Sequence, residues 1–178
     1  DYQIKEAAEL IKKSKKPLII SGGGVFYSDA TDELSSFATK HNIPVTQTVM
    51  GYSTMKKDHS HYLGAIGGLG GRAANNLSKE TDMAIAIGTK LADFTTGSWA
   101  NFENPNFKLV SINAGRFDAN KHMAQAVVGD AKVSLMELSQ ALGNWKADDN
   151  WYEKSRIELK NWESYVDKES GPTNPKLP

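Results

Sequence analysis

The sequence predicts an α/β domain, a doubly wound parallel sheet of about six strands over roughly residues 3–143. Three observations predict it. Leu18-Ile19-Ile20, Met83-Ala84-Ile85-Ala86-Ile87 and Leu109-Val110-Ser111-Ile112 are unbroken or nearly unbroken apolar runs. Strands covered on both faces read that way, whereas strands with one wet face alternate. Segments with helical spacing separate the runs. Glycine or asparagine follows the runs at Gly22, Gly88 and Asn113, where the strands of such a sheet turn around a ligand crevice.

Taken in order, Ile4 to Ile11 has apolar positions at helical spacing, with Lys12, Lys13, Lys15 and Lys16 beyond. Cations there suit the carboxyl end of a helix. Pro17 stops the helix, and Leu18-Ile19-Ile20 runs as a buried strand into Ser21-Gly22-Gly23-Gly24. Asp29 to Lys40 is a second amphipathic helix, with Leu34, Phe37 and Ala38 on one face. Pro44 to Val49 is a strand, Tyr52 to Gly71 is irregular and glycine-rich, and Ala73 to Glu80 is a short helix. The strands at Met83–Ile87 and Leu109–Ile112 follow, then a short one at Ala126-Val127-Val128 and a helix over Ala131–Leu142. This alternation is Rossmann-like.

After Gly143 the composition turns polar and aromatic. Trp151, Ser155, Leu159, Trp162 and Val166 recur at one-face helical spacing between Asp148 and Lys168. Two readings follow: a helix packed on its own domain, or a connector docked at an interdomain seam. On the second, removing residues 148–178 costs only about 1 kcal/mol. Gly171-Pro172-Thr173-Asn174-Pro175-Lys176-Leu177-Pro178 reads as a linker. The expected division is therefore a domain over 1–147 and a connector over 148–178.

Composition excludes several classes. Lys plus Arg is 21 and Asp plus Glu is 21, a formal net charge of +0, so no global field pulls the chain to nucleic acid or anionic lipid. No cysteine is present, which excludes disulfides, thiol catalysis and cysteine-based metal sites. No apolar run approaches the roughly 20 residues that span a bilayer. No signal-peptide pattern opens the chain and residue 1 is Asp. The expectation is a piece of a longer, cytoplasmic protein.

The candidate crevice gathers Gly22, Gly23, Gly24, Gly88, Thr89 and Asn113, with Ala114 and Gly115 behind. Glycine lets a ligand or another backbone approach closely. A dinucleotide fingerprint also needs a third small residue, and Tyr27 stands there. The acid that would hold ribose is missing, since Gln47, Thr48 and Val49 close the second strand. Tight turns of the fold are the preferred reading. Gly68-Leu69-Gly70-Gly71-Arg72-Ala73 matches G-x-G-x-x-A before a helix, where Arg72 could help hold an anion, but no clear buried strand precedes it. His59-x-His61 is expected to be an exposed pair rather than a metal site. Ser98, Asp118 and His122 lack nucleophile-elbow spacing, and nothing pairs Asp93 with Asp118. No catalytic residue and no metal ligand is assigned.

The run Gly67-Gly68-Leu69-Gly70-Gly71-Arg72-Ala73-Ala74-Asn75-Asn76-Leu77, followed by Thr81-Asp82-Met83-Ala84-Ile85-Ala86-Ile87-Gly88-Thr89-Lys90-Leu91-Ala92-Asp93-Phe94, resembles the middle domain of thiamine-diphosphate enzymes. The opening Ala8, Leu10, Ile11, Lys15, Lys16, Pro17 and the glycines 22–24 fit the same pattern. The resemblance implies a domain of the DHS-like NAD/FAD-binding type. Asp93-Phe94-Thr95-Thr96-Gly97-Ser98-Trp99, with Asn113 to Ala119 and Lys121-His122, is similar to a narrower branch, the hydrolases that open a cyclic 1,2-diketone in inositol catabolism.

That resemblance implies thiamine diphosphate and magnesium in a parent enzyme, and no activity is expected of this chain alone. The cofactor would be held by flanking pyrimidine- and pyrophosphate-binding domains in a homo-oligomer. The metal motif Gly-Asp-Gly…Asn is not matched, because Ala131 follows Gly129-Asp130, which reads as a turn. FAD-binding relatives carry G-A-R-F and I-D-I-D at two strand ends. Here Gly88-Thr89-Lys90-Leu91 and Ser111-Ile112-Asn113-Ala114 stand there, and Lys90 lacks the planar fork of arginine. No bound flavin is expected. The alternative is a nucleotide- or flavin-binding module of acetolactate-synthase or electron-transfer-flavoprotein type.

Overall fold

The computed structural model describes residues 2–170. The helix α1 (Tyr2–Lys12) leads to β1 (Pro17–Ser21), and two helices follow, α2 (Gly23–Tyr27) and α3 (Thr31–His41). Next come β2 (Val45–Gln47), β3 (Tyr62–Ala65), α4 (Arg72–Glu80) and β4 (Met83–Ile87). The chain continues through α5 (Asp93–Thr96), β5 (Lys108–Asn113), α6 (Arg116–Ala119) and β6 (Gln125–Val128). It closes on α7 (Ala131–Leu142) and α8 (Asp149–Ser170). The Pro-rich stretch from Gly171 lies outside the described residues.

All six strands are parallel, in the order β3-β2-β1-β4-β5-β6. The chain builds outward from β1 to one edge, returns to the middle at β4 and builds to the other edge. Successive side chains on a strand point to opposite faces, so each apolar run feeds two cores. Ile19, Ile85 and Val110 pack under α1, α3 and α7 with Ile11, Phe37 and Leu138. Leu18, Ile20, Ala84, Ala86 and Leu109 face the other way, toward Ala74 and Leu77 of α4 and Trp151 and Leu159 of α8. The alanines of β4 leave room for two helices on that face.

Helix ends follow local chemistry. α3 stops where Asn42 turns left-handed at φ 56° and returns its N–H to Ala38 and Thr39 carbonyls. It starts at Thr31 rather than Asp29, because Asp29 itself takes φ 50°. The Asp130 carboxylate accepts the Val133 N–H and caps α7.

Two expectations need correction. The segment before α4 is not wholly irregular: Tyr62–Ala65 pairs with β2 as an edge strand, with a register shift between Val45 and Thr46. The apolar stripe of the last helix is divided. Trp151 and Leu159 are buried in the second core, and Trp151 Nε1 donates to Pro17 O at 2.8 Å. Arg156 donates to Tyr62 O at 3.1 Å. The first half of α8 therefore covers its own sheet, which favours a larger cost for its removal than the roughly 1 kcal/mol expected of a connector. Trp162 is half-buried against Gly71, and beyond it the helix is largely exposed.

Candidate functional site

Between β1 and β4 the connections leave in opposite directions, and the gap above the carboxyl ends of these strands is a crevice of about 480 Å³. Of the six residues expected there, Gly23, Gly24, Gly88, Thr89 and Asn113 line it. Gly22 sits beneath, where an added Cβ would meet Gly88 O and Thr89 Cβ. The loops add Met50, Phe94 and Asp118, which sequence patterns did not single out as crevice residues. Asp118 and Phe94 carried a signal, each lying just beyond a strand end.

The glycines are explained by one another. Gly22 N–H donates to Ile87 O at 2.8 Å and Gly24 N–H to Gly88 O at 2.9 Å. A Cβ on Gly24 would stand 2.6 Å from Gly88 Cα, and Gly88 has φ 61°. Backbone therefore approaches backbone here. Asn113 is committed at both ends of its amide: Nδ2 donates to Thr89 O at 3.2 Å and Oδ1 accepts Gly115 N–H at 2.9 Å. The β2 end offers no acid, and buried Gln47 spends its amide on Thr54 Oγ1 at 3.2 Å and Met55 O at 3.1 Å. Tyr27 does not crowd helix against strand as its position suggested. α2 ends at Tyr27, whose ring is 82% exposed on the crevice rim. Val25 makes the buried contact instead.

The remaining candidates disperse. The G-x-G-x-x-A stretch does follow a strand, β3, and does open α4. Yet Trp162 lies over Gly71, and the Arg72 guanidinium sits 4.2 Å from the Tyr165 ring centroid. Arg72 is held by α8 rather than turned toward an anion. His61 is not the exposed residue expected. It is 6% exposed, with Nε2 3.2 Å from Asn42 Oδ1 and its ring 4.6 Å from that of Tyr152. Burial first, then His59 and Arg156, push it down to about 4. His122 packs on Trp99 at 4.5 Å, and Asp118 pairs with Lys121 at 2.6 Å, so no triad forms with Ser98. Among the described residues no group of three or more His, Asp or Glu side chains could hold a metal. Gly129-Asp130 is the turn expected of it: the Val133 N–H holds the Asp130 carboxyl below its ordinary range. No helix among the described residues is long and apolar enough to cross a membrane.

Comparison with known proteins gives a consistent neighbourhood. The pattern of the thiamine pyrophosphate enzyme central domain matches residues 4–138. A 3D-(3,5/4)-trihydroxycyclohexane-1,2-dione hydrolase of Clostridium perfringens strain 13 is 43% identical over 140 residues, covering 79% of this chain and 22% of that protein. Its namesake in Clostridium botulinum strain Alaska E43 is 45% identical over 137 residues, 77% of this chain and 21% of that protein. The one in Clostridium tetani is 39% identical over 165 residues, 93% and 26% respectively. The chain thus spans about a quarter or less of these relatives.

Proposed function

Because the chain belongs to the family of thiamine pyrophosphate enzyme central domains, we propose that it is the central domain of a hydrolase that opens 3D-(3,5/4)-trihydroxycyclohexane-1,2-dione by breaking a ring C–C bond. The observation that carries this reading is the 43% identity over 140 residues to a protein of that name. The domain acts as scaffold and spacer, and the outer half of α8 with the residues after it leads toward a following domain. Thiamine diphosphate supplies the carbanion chemistry when bound, with magnesium, by flanking pyrimidine- and pyrophosphate-binding domains. The same reading places the enzyme in the cytoplasm as a homo-oligomer.

The residues of this chain do not fit that cofactor. The Asp130 carboxylate is used to cap α7, and no acidic pair stands beside it. No chemical step is assigned to this chain. The crevice with Gly22, Gly23, Gly24, Gly88, Thr89 and Asn113 is read as a nucleotide crevice that has lost its ligand. Its backbone and amide groups bond one another, and Ala114 stands where an acid would be required.

Two measurements test the reading. The full-length protein, supplied with thiamine diphosphate and magnesium, should convert the cyclic dione to a ring-opened acid. The purified chain should show no flavin absorbance band. Absence of turnover would overturn the substrate assignment. Stoichiometric FAD would favour the alternative, a flavin module, for which the glycine-lined switch-point crevice is the supporting feature.

A further inference from the structure

The loops that lead into β5 and β6 enclose a hollow of about 620 Å³ at the amino ends of those strands. It lies at the opposite end of β5 from the crevice, which Asn113 lines. Two short runs that the crevice leaves unused build its wall. Trp99 closes the run Asp93 to Trp99, and His122 closes Lys121-His122. Their rings meet at 4.5 Å between centroids, and the Phe107 ring lies 6.4 Å from that of Trp99. Leu109 supplies aliphatic surface beside them.

The backbone is bent to hold this wall. Ser98, Trp99, His122 and Met123 have φ of 53°, 71°, 59° and 55°. Left-handed backbone is uncommon outside glycine, and bulky side chains adopt it least readily. Two such pairs, one on each loop, put four of the eight left-handed non-glycine residues of the described chain beside one hollow. Strain of this kind concentrates where a fold holds side chains for use.

The hollow is also unbalanced in charge. Lys108, His122 and Gln125 line it, and among the described residues no Asp or Glu does. Lys108 has no ion pair among the described residues. The lining thus offers aromatic and aliphatic carbon to a flat apolar body and one ammonium group to a negative charge. Its size is that of small-molecule sites, which run from about 300 to 1,000 Å³.

We propose that this hollow binds a small aromatic carboxylate, with the ring against Trp99 and Phe107 and the carboxylate on Lys108. Aromatic rings prefer offset or edge-on contact with centroids about 4.5–7 Å apart, the spacing at which Trp99 already holds its neighbours. A carboxylate on an ammonium group makes a stronger hydrogen bond than a neutral hydroxyl does. The site stands apart from the thiamine chemistry and does not rest on the substrate reading above.

Saturation-transfer NMR on the full-length protein tests this with naphthoate as the probe. Naphthoate should bind with a Kd of about 1 mM or below. Naphthylmethanol, the same ring without the charge, should bind roughly ten-fold more weakly. Lys108 is exposed, so Lys108→Met removes the charge without disturbing the core. That variant should bring naphthoate to the affinity of the alcohol and leave the alcohol unchanged. Lys90→Met, which removes the lysine of the crevice at the other end, should change neither. No transfer to naphthoate at about 5 mM overturns the proposal. So does equal affinity of acid and alcohol, because the carboxylate is then not recognised. Octanoate bound as tightly as naphthoate overturns the aromatic class and the proposal with it. Naphthoate binding that falls with Lys90→Met and not with Lys108→Met places the probe in the crevice and overturns it too.

Discussion

At the amino end of the sheet, polar side chains are paired. The Asp82 carboxylate accepts from Ser14 Oγ at 2.5 Å and from the Lys15 and Lys16 N–H groups at 2.9 Å each. Glu80 takes Lys16 at 3.2 Å and Lys154 at 2.5 Å. Asn42 donates to Asp149 at 2.9 Å and meets His61 through its oxygen, while Trp151 bonds Pro17 O. At the carboxyl end the bonds around the crevice run mostly between backbone groups of Gly22, Gly24, Gly88 and their neighbours, joined by the Asn113 amide, and Tyr27, Met50 and Phe94 stand exposed. The difference has a physical source. α8 starts at the amino end, where Trp151 meets the start of β1, and runs along α4 to Gly71 past the carboxyl end of β3, while the crevice above β1 and β4 stays uncovered among the described residues.

The largest effect should come from the one place where the carboxyl end is structurally rigid. Gly88→Ala adds a Cβ 2.5 Å from Gly24 Cα at a residue with φ 61°. Neither backbone can yield without breaking the β1–β4 turns, so a loss above about 4 kcal/mol is expected, and the variant should not fold stably. Gly64→Ala is the control, since Gly64 also has positive φ, 97°, but has nothing within 4 Å of the added atom. It should lose only about 1–2 kcal/mol in urea melts. Equal losses would mean that dihedral strain, not close approach, fixes the glycines.

Next in size is the amino end. Trp151→Ala removes a 4% exposed indole and leaves Pro17 O without its donor. A cost of about 3–5 kcal/mol is expected. Removing residues 148–170 should cost at least as much. A truncated chain that melts within a degree or two of the intact one would return α8 to the role of a detachable connector.

These two regions also differ in how far the sequence revealed them. The central strands were legible because burial on both faces demands unbroken runs such as Met83–Ile87. The glycine and asparagine positions were legible because the strand ends fix where a switch-point crevice opens. β3 was obscured because an edge strand needs little apolar content: Leu63 is its one fully buried residue, and Gly64 adopts a conformation foreign to strands. α2, α5 and α6 are only 4 or 5 residues long, too short for a helical period to show. The burial of His61 could not be read locally, since Tyr152 covers it from 91 positions along the chain.

That covered histidine gives the third effect. His61 is held at about 4 against an ordinary 6.5, so the fold favours its neutral form. The unfolded chain takes up a proton as pH falls through 6.5, while the folded chain does so only near 4. Stability is therefore full above about pH 6.5 and declines between there and pH 4, by at most roughly 3 kcal/mol from this group. Burial lowers His41 and His59 as well, which adds to the same slope. His61→Gln should flatten the denaturation profile across this window by about one proton without abolishing it. An unchanged slope would mean that His61 is free to protonate in the folded chain, and the amino end would then be looser than its hydrogen bonds describe.

The smallest effect belongs to the exposed side chains of the carboxyl end and tests the comparison from its other side. Tyr27 is 82% and Leu69 71% exposed. Tyr27 touches Phe26 edge-on at 6.1 Å between ring centroids, a contact that is itself in solvent. Changing either residue to Ser removes apolar surface that the folded chain never buried, so the transfer term nearly cancels between the folded and unfolded states. Each substitution should shift the stability of the 178-residue chain by less than about 0.5 kcal/mol, and the pair should be additive. The contrast with Trp151→Ala is then several-fold, between aromatic residues of similar size at opposite ends of one sheet. A loss of about 2 kcal/mol or more at either residue would show that these side chains pack within the domain.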